Sequence, residues 1–135
     1  MKSRIIEVIE SLDDMRFLTP ADEEKVSEAE ETLGLKFAEE YREYVKKYGV
    51  VSAAEVELTG VTEAKRLDVV AVTERERELT EDFPEDMYVV ENVGIDGILI
   101  LQNGKGETFY IAPGVKAEKV ADSLAEYIEM VKEER

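Results

Sequence analysis

The chain contains no cysteine, no histidine and no tryptophan. Without thiols there is no disulfide framework and no thiolate nucleophile. Without imidazole, Cys/His zinc sites and every triad that uses histidine as base are excluded. The side-chain amides are limited to Asn92, Gln102 and Asn103, and proline to three residues. Positive charge is also scarce, with 17 Lys plus Arg facing 33 Asp plus Glu, a formal charge of −16. A surface this negative repels phosphate backbones and anionic lipid, so neither nucleic acid nor membrane is an expected partner, and a basic or cationic one is. Long apolar runs are missing as well. Stretches such as Gly97 to Leu101 are far too short to cross a bilayer, and Glu7, Glu10, Asp13 and Asp14 stand where a secretory signal needs an apolar segment. A soluble, cytoplasmic protein is expected.

What is present is enough to fold. The 135 residues are 44% hydrophobic, and the 37% that are charged alternate with apolar ones instead of forming a polar tract. No repeat, low-complexity stretch or linker divides the chain, so residues 1–135 read as a single domain with one core. The abundance of Glu and Lys beside so few amides resembles thermophile usage.

Ile5, Ile6, Val8, Ile9 and Leu12 recur at helical spacing and predict a short helix ending before Phe17. Thr19 as N-cap, Pro20 at the first helical position and Asp22, Glu23 and Glu24 in the first turn predict a second helix, closed by Gly34 as a left-handed cap. A third is expected from about Ala38 to Tyr48, stopped by Gly49. Val56 and Leu58 alternate with Glu55 and Glu57 up to Gly60, the pattern of a half-buried strand. Val69 to Val72 fits either a short strand or the start of a helix running to Leu79. Met87 to Val93, Ile98 to Gln102 and Glu107 to Ile111, the last two joined by a hairpin at Asn103-Gly104-Lys105-Gly106, predict an antiparallel meander. From Ala117, the spacing of Val120, Leu124, Tyr127, Ile128 and Val131 predicts a final amphipathic helix. The expected class is therefore α+β, an antiparallel or mixed sheet with helices mainly on one face.

The negative charge is concentrated: residues 74–91 carry eight acids and two arginines, and the densest part is Glu81, Asp82, Glu85 and Asp86 around Pro84. Such a loop reads either as a binding surface or as a solvated segment that aids solubility. It does not contain the twelve-residue calcium-loop pattern, and Asp96-Gly97 reads as a tight turn between strands. The glycines lie around strand ends, outside the strand–Gly–helix context of a phosphate loop, and no GxxxxGK[ST] occurs. Carboxylate pairs of the glycosidase kind arise by chance in any acidic chain, and 135 residues leave little room for a sugar cleft. Tyr41, Tyr44, Tyr48 and Tyr127 lie at helical spacing and read as core edges, while Tyr88 and Tyr110 can face either way on their strands. No residue is assigned to catalysis, a cofactor or a metal, and no enzyme activity is expected.

The stretch AEETLGLKFAEEYREYVKKYG, from Ala29 to Gly49, resembles the signature "E..LG..LP.DY..fl..yG" of the SUKH superfamily of Smi/Knr-like proteins. Val56 to Gly60 sits where that family has its "E.yG" strand. DMYVVENVGIDGILI, GETFYIAPG and EKVADSLAEYIEMV resemble its later segments in the same order, and the closest likeness is to the bacterial YobK-like antitoxin branch. Phe37-Ala38 departs from the usual Leu-Pro, Thr108-Phe109-Tyr110 lacks the frequent Trp, and Leu124 stands where Phe is common. The resemblance implies a sheet with helices on one side and a non-enzymatic binding role. In bacterial members that role is immunity against toxins, many of them nucleases; fungal relatives are regulatory scaffolds. The leading expectation is an immunity protein that occludes a basic toxin domain, the alternative an intracellular regulatory or scaffold module without a toxin. Charge density, not the resemblance, selects Glu81, Asp82, Glu85, Asp86 and Asp96 as candidate contacts, with Tyr88 or Tyr110 as an aromatic anchor if exposed.

Overall fold

The computed structural model describes residues 2–134. Helix α1 (Arg4–Glu10) precedes a two-residue strand β1 (Arg16–Phe17), which the sequence pattern does not reveal. Helix α2 (Glu23–Leu33) begins later than its sequence suggests: the cap is Asp22, whose carboxylate accepts the Lys25 N–H at 2.9 Å, and not Thr19. The reason lies outside the segment. The N–H groups of Leu18 and Ala21 are already bonded to the carbonyls of Val50 and Val45, which holds Thr19-Pro20 extended along the end of the next helix. Gly34 closes α2 at φ 70°, as expected.

Helix α3 (Glu39–Tyr48) follows and leads through Gly49 into β2 (Val51–Ser52), which pairs antiparallel with β1. The strand expected over 56–60 is reduced to single bridges: Glu57 to Ser52, Leu58 to Glu91 and Gly60 to Asp68. These bridges nonetheless link the small sheet to the large one. Here the backbones touch: a Cβ on Gly60 would lie 1.8 Å from the Gly49 carbonyl oxygen. Glycine is therefore required at 60, and at 49 as well, where a Cβ would lie 2.1 Å from the Thr19 carbonyl oxygen.

The ambiguity at 69–79 resolves as helix α4 (Val69–Leu79), because the Asp68 carboxylate caps it at the Ala71 N–H and the Thr73 hydroxyl accepts the Val89 N–H at 3.0 Å. The large sheet is an antiparallel meander of β3 (Met87–Asn92), β4 (Leu99–Asn103), β5 (Thr108–Ala112) and β6 (Val115–Ala121). Strand β6 corrects the expected start of the last helix. The apolar spacing through Ala117, Val120 and Leu124 has a helical period, but Pro113-Gly114 turns the chain back along β5, and α5 (Leu124–Glu133) begins only after Ser123, whose hydroxyl accepts the Glu126 N–H. As an edge strand, β6 carries exposed Lys116, Glu118 and Lys119, and its pairing with β5 is interrupted by two register shifts, features that discourage edge-to-edge pairing.

The sheet buries both faces unequally. Tyr88, Val90 and Ile100 join the main core with Ile5 and Ile9 of α1, Val26 of α2, Tyr41 and Tyr44 of α3, and Leu124 and Ile128 of α5. The other face holds a smaller cluster of Met87, Val89, Leu99, Leu101 and Ile111, against which Val72 of α4 and Phe83 pack. Helices thus cover mainly one face.

The main core is stitched by buried polar groups. The Tyr88 hydroxyl accepts the Ala38 N–H and donates to the Gln102 carbonyl oxygen at 2.7 Å. The Gln102 amide donates to Glu40 at 2.6 Å and to the Gly106 carbonyl at 3.1 Å. Glu40 in turn accepts the first N–H groups of α5, from Leu124 at 2.6 Å and Ala125 at 3.2 Å. A second clasp is centred on Thr59: its hydroxyl donates to the Val89 carbonyl, so the Tyr41 hydroxyl 2.8 Å away must donate to it, while the Tyr44 hydroxyl donates to the Thr59 carbonyl. A second acid, Glu30, accepts the Phe37 N–H at 2.9 Å and pairs with Arg42 at 2.6 Å. Glu30 and Glu40 stand at the two acidic positions of the signature string, which gives those positions a structural meaning.

Two outcomes follow. Glu40→Ala strips the cap from α5 and one partner from Gln102, and should lower the urea unfolding free energy by about 1–3 kcal/mol; Glu39→Ala, next to it but exposed, should change it by less than about 0.5 kcal/mol. Burial pushes the hydroxyls of Tyr41, Tyr44 and Tyr88 above their ordinary value of 10.0, and burial together with Glu10 holds Tyr48 at about 12. A raised folded value means stability that is complete below pH 10.0 and is lost as pH rises through the folded values. In an alkaline titration, tyrosinate absorbance from these residues should appear together with the loss of circular dichroism, not before it.

Candidate protein-interaction surface

The loop between α4 and β3 runs beside the less covered face of the sheet. Phe83 anchors it there, half-buried against the small apolar cluster, while Glu81, Asp82, Glu85 and Asp86 on either side of it are exposed. Asp82 adopts φ 60°, which a short acidic side chain tolerates. The Arg77 guanidinium donates to the carbonyl of Glu85 and to that of Leu33, tying the loop to the end of α2.

Next to the loop lies an open hollow of about 730 Å³. Leu99, Ile111 and Pro113 help line it, Leu79 and Val115 stand exposed at its edge, and Glu81 and Asp82 flank it on the α4 side with Lys116 on the β6 side. Asp96 is exposed in the β3–β4 turn, where it and Gly97, which also lines the hollow, both take positive φ. This is the two-residue hairpin geometry that Asp-Gly favours.

The electrostatics of this face differ from those of the helical side. The ion pairs found among the described residues engage Glu10, Glu23, Glu30, Glu57, Glu107, Asp122 and Glu129. Lys2 and the Tyr48 hydroxyl, for example, hold the Glu10 carboxyl down at about 2. None of Glu81, Asp82, Glu85, Asp86 or Asp96 has such a partner among the described residues, so their charge is directed to solvent.

The structure thus brings Glu81 and Asp82 to one hollow that Gly97 also lines, with Asp96 next to Gly97 in the turn and Glu85 and Asp86 further along the acidic loop. It does not bring the two tyrosines there. Tyr88 is fully buried, its hydroxyl committed to Ala38 and Gln102, so it does not meet the condition of exposure and is corrected to a core residue. Tyr110 points to the helical side of the sheet and is half-buried in a different groove. What sequence reasoning missed is the apolar part of the surface, Leu79, Phe83 and Val115. Leu79 precedes the acidic run and Phe83 lies within it, and an apolar residue set inside a charged loop is the signal that could have marked an anchor. Among the described residues no three His, Cys, Asp or Glu converge as a metal-holding group, and no helix is long and apolar enough to cross a membrane.

Replacing Phe83 by Ser should release the loop without unfolding the sheet. Hydrogen exchange over residues 80–86 should accelerate while β4 and β5 stay protected; unchanged exchange in the loop would show that Phe83 does not anchor it.

No curated protein matches the chain. The family SUKH_5, described as SMI1-KNR4 cell-wall, matches over residues 3–133, nearly the whole sequence and every element described above. The chain therefore belongs to the SUKH superfamily, in its SMI1-KNR4 cell-wall family SUKH_5.

Proposed function

We propose that the protein is a non-catalytic, immunity-type binder that neutralises a basic toxin domain, using the 80–86 loop and the hollow beside it. The observation that carries this reading is the set of exposed acids without cationic partners among the described residues, on a loop fixed by Phe83 next to an apolar depression. An interface needs both parts. Apolar contacts supply most of the affinity, and unpaired like charges at the rim raise the association rate and select a partner of opposite sign. A nuclease toxin presents a basic groove to its substrate, so an acidic face steers toward it and competes for the same Lys and Arg side chains. Family membership supports protein binding in general, and bacterial SUKH relatives supply the precedent for immunity.

The test is a pull-down from the source organism at low and high salt, followed by binding measurements on the recovered domain. A basic, nuclease-like domain that dissociates at high salt is the expected partner. Reversing Glu81, Asp82, Glu85 and Asp86 to Lys should weaken its binding by at least about tenfold and flatten the salt dependence, since close interfacial charge pairs are each worth about 1.5 kcal/mol or more. Affinity unchanged by the four substitutions would reject this surface. Recovery of regulatory or envelope proteins instead would favour the scaffold reading.

A further inference from the structure

A separate groove opens between the start of α4, the 57–59 segment and the end of β3, and encloses about 560 Å³. Buried Leu58 and half-buried Leu67, Ala71 and Val72 supply its apolar surface. It shares no lining residue with the hollow beside the 80–86 loop, so what it binds is independent of the toxin reading.

Three cations line this groove, Lys65, Arg66 and Arg75, in a chain where acids outnumber cations by 33 to 17. Lys65 and Arg66 are presented by a hydrogen-bonded turn, with the Leu67 N–H on the Ala64 carbonyl at 2.9 Å and the Asp68 N–H on the Lys65 carbonyl at 3.3 Å. Arg75 stands one turn after Ala71 on α4, and a helical Cα–Cβ bond tilts toward the helix start, which directs Arg75 toward that same turn. The acids in the lining are Glu57 and Glu76. Glu57 is matched by Arg66 at 3.1 Å. Lys65 and Arg75 form no ion pair among the described residues, so two cations stand against Glu76. Asn92 adds a donor: its Oδ1 accepts the Gly94 N–H at 2.9 Å, which leaves its amide nitrogen as the end that can donate to a ligand.

A guanidinium, an ammonium and an amide donor beside apolar surface complement an oxyanion carried on an apolar body. The planar fork of Arg meets two oxygens of a carboxylate or phosphate at once, Lys contributes a compact charge, and the volume is that of a small-molecule site. We infer that this groove binds a small organic oxyanion, a carboxylate or phosphate monoester, with the charged group at Lys65, Arg75 and the Asn92 amide and the apolar body against Leu67, Ala71 and Val72. The formal charge of −16 opposes this only weakly, because at physiological salt exposed charges more than about 8 Å away are largely screened and the adjacent cations dominate.

The probes are phenyl phosphate and phenylacetate, each titrated into the isotope-labelled full chain at fixed ionic strength and followed by amide resonances. Saturable shifts centred on Ala71, Gly94 and the Asn92 side-chain amide are expected with at least one probe, and the tighter one tells a tetrahedral from a planar oxyanion. Inorganic phosphate and acetate, which lack the apolar body, should bind at least about fivefold more weakly. The double variant Lys65→Gln, Arg75→Gln changes exposed positions only and should weaken binding at least about tenfold. Lys105→Gln, Lys116→Gln removes the same charge elsewhere on the surface and should leave binding within about twofold. No saturable shift with either probe, equal losses in the two double variants, or inorganic phosphate and acetate binding as tightly as their phenyl counterparts would each overturn the inference.

Discussion

The Glu40 carboxylate is the point on which the architecture turns. It sits in the first turn of α3, yet its oxygens are taken by the opening N–H groups of α5 and by Gln102 of β4. A helix start leaves N–H groups without intrahelical partners, and α5 satisfies two of them with a residue more than eighty positions away in sequence instead of relying on Ser123 alone. Gln102 then passes the constraint to Tyr88, and Tyr88 to the Ala38 N–H at the entrance of α3 itself, which closes the circuit. Because Tyr88 and Gln102 are fully buried, Glu40 is half-buried and each donor has a defined acceptor, displacing one member leaves others unsatisfied where water does not readily replace it. Two helices and two strands are thereby held in one relative position.

That internal arrangement determines what remains for the surface. The acids bonded inside the fold, Glu30, Glu40 and Glu91, serve as anchors for backbone and side-chain donors, and those paired on the helical side are matched with Lys and Arg. The acids of the 80–86 loop and Asp96 have no such duty among the described residues. They lie beside the sheet face that receives less cover, where Leu79 and Val115 are also exposed. Charge and apolar surface thus coincide on the side of the molecule that the helices leave open, and a membership in a family of binding domains is consistent with that coincidence.

Much of this was legible from residues alone, for identifiable reasons. Gly34 as a helix stop, α3 up to Gly49, the hairpin at Asn103 to Gly106 and the Asp96-Gly97 turn depend on interactions within a few residues, and their signals are local. The failures share a different cause. Thr19-Pro20 has the composition of a helix start, but Val45 and Val50 claim the neighbouring N–H groups. Residues 117–121 carry the start of a helical period, but pairing with β5 makes them part of a strand. Tyr88 alternates like its neighbours, and nothing in the sequence says which of its two faces meets the helices. For the candidate surface, the acidic loop was readable as charge density, while the hollow was not, because its walls come from segments up to about forty residues apart, from Leu79 to Ala117.

By itself the sequence determined the chemistry available to this protein and its broad class: no thiol, no imidazole, a surplus of carboxylates, helices capped and stopped at named residues, and ordered motifs sufficient for the superfamily. These follow from side-chain identity and from interactions spanning a helical turn or a hairpin. Only the tertiary structure decided which carboxylates are spent on buried N–H groups and which face solvent, where β6 ends and α5 begins, and that Tyr88 is core while Met130 lines a groove. Burial and long-range hydrogen bonding are properties of pairs distant in sequence, and their free energy exists only once the chain has brought them together.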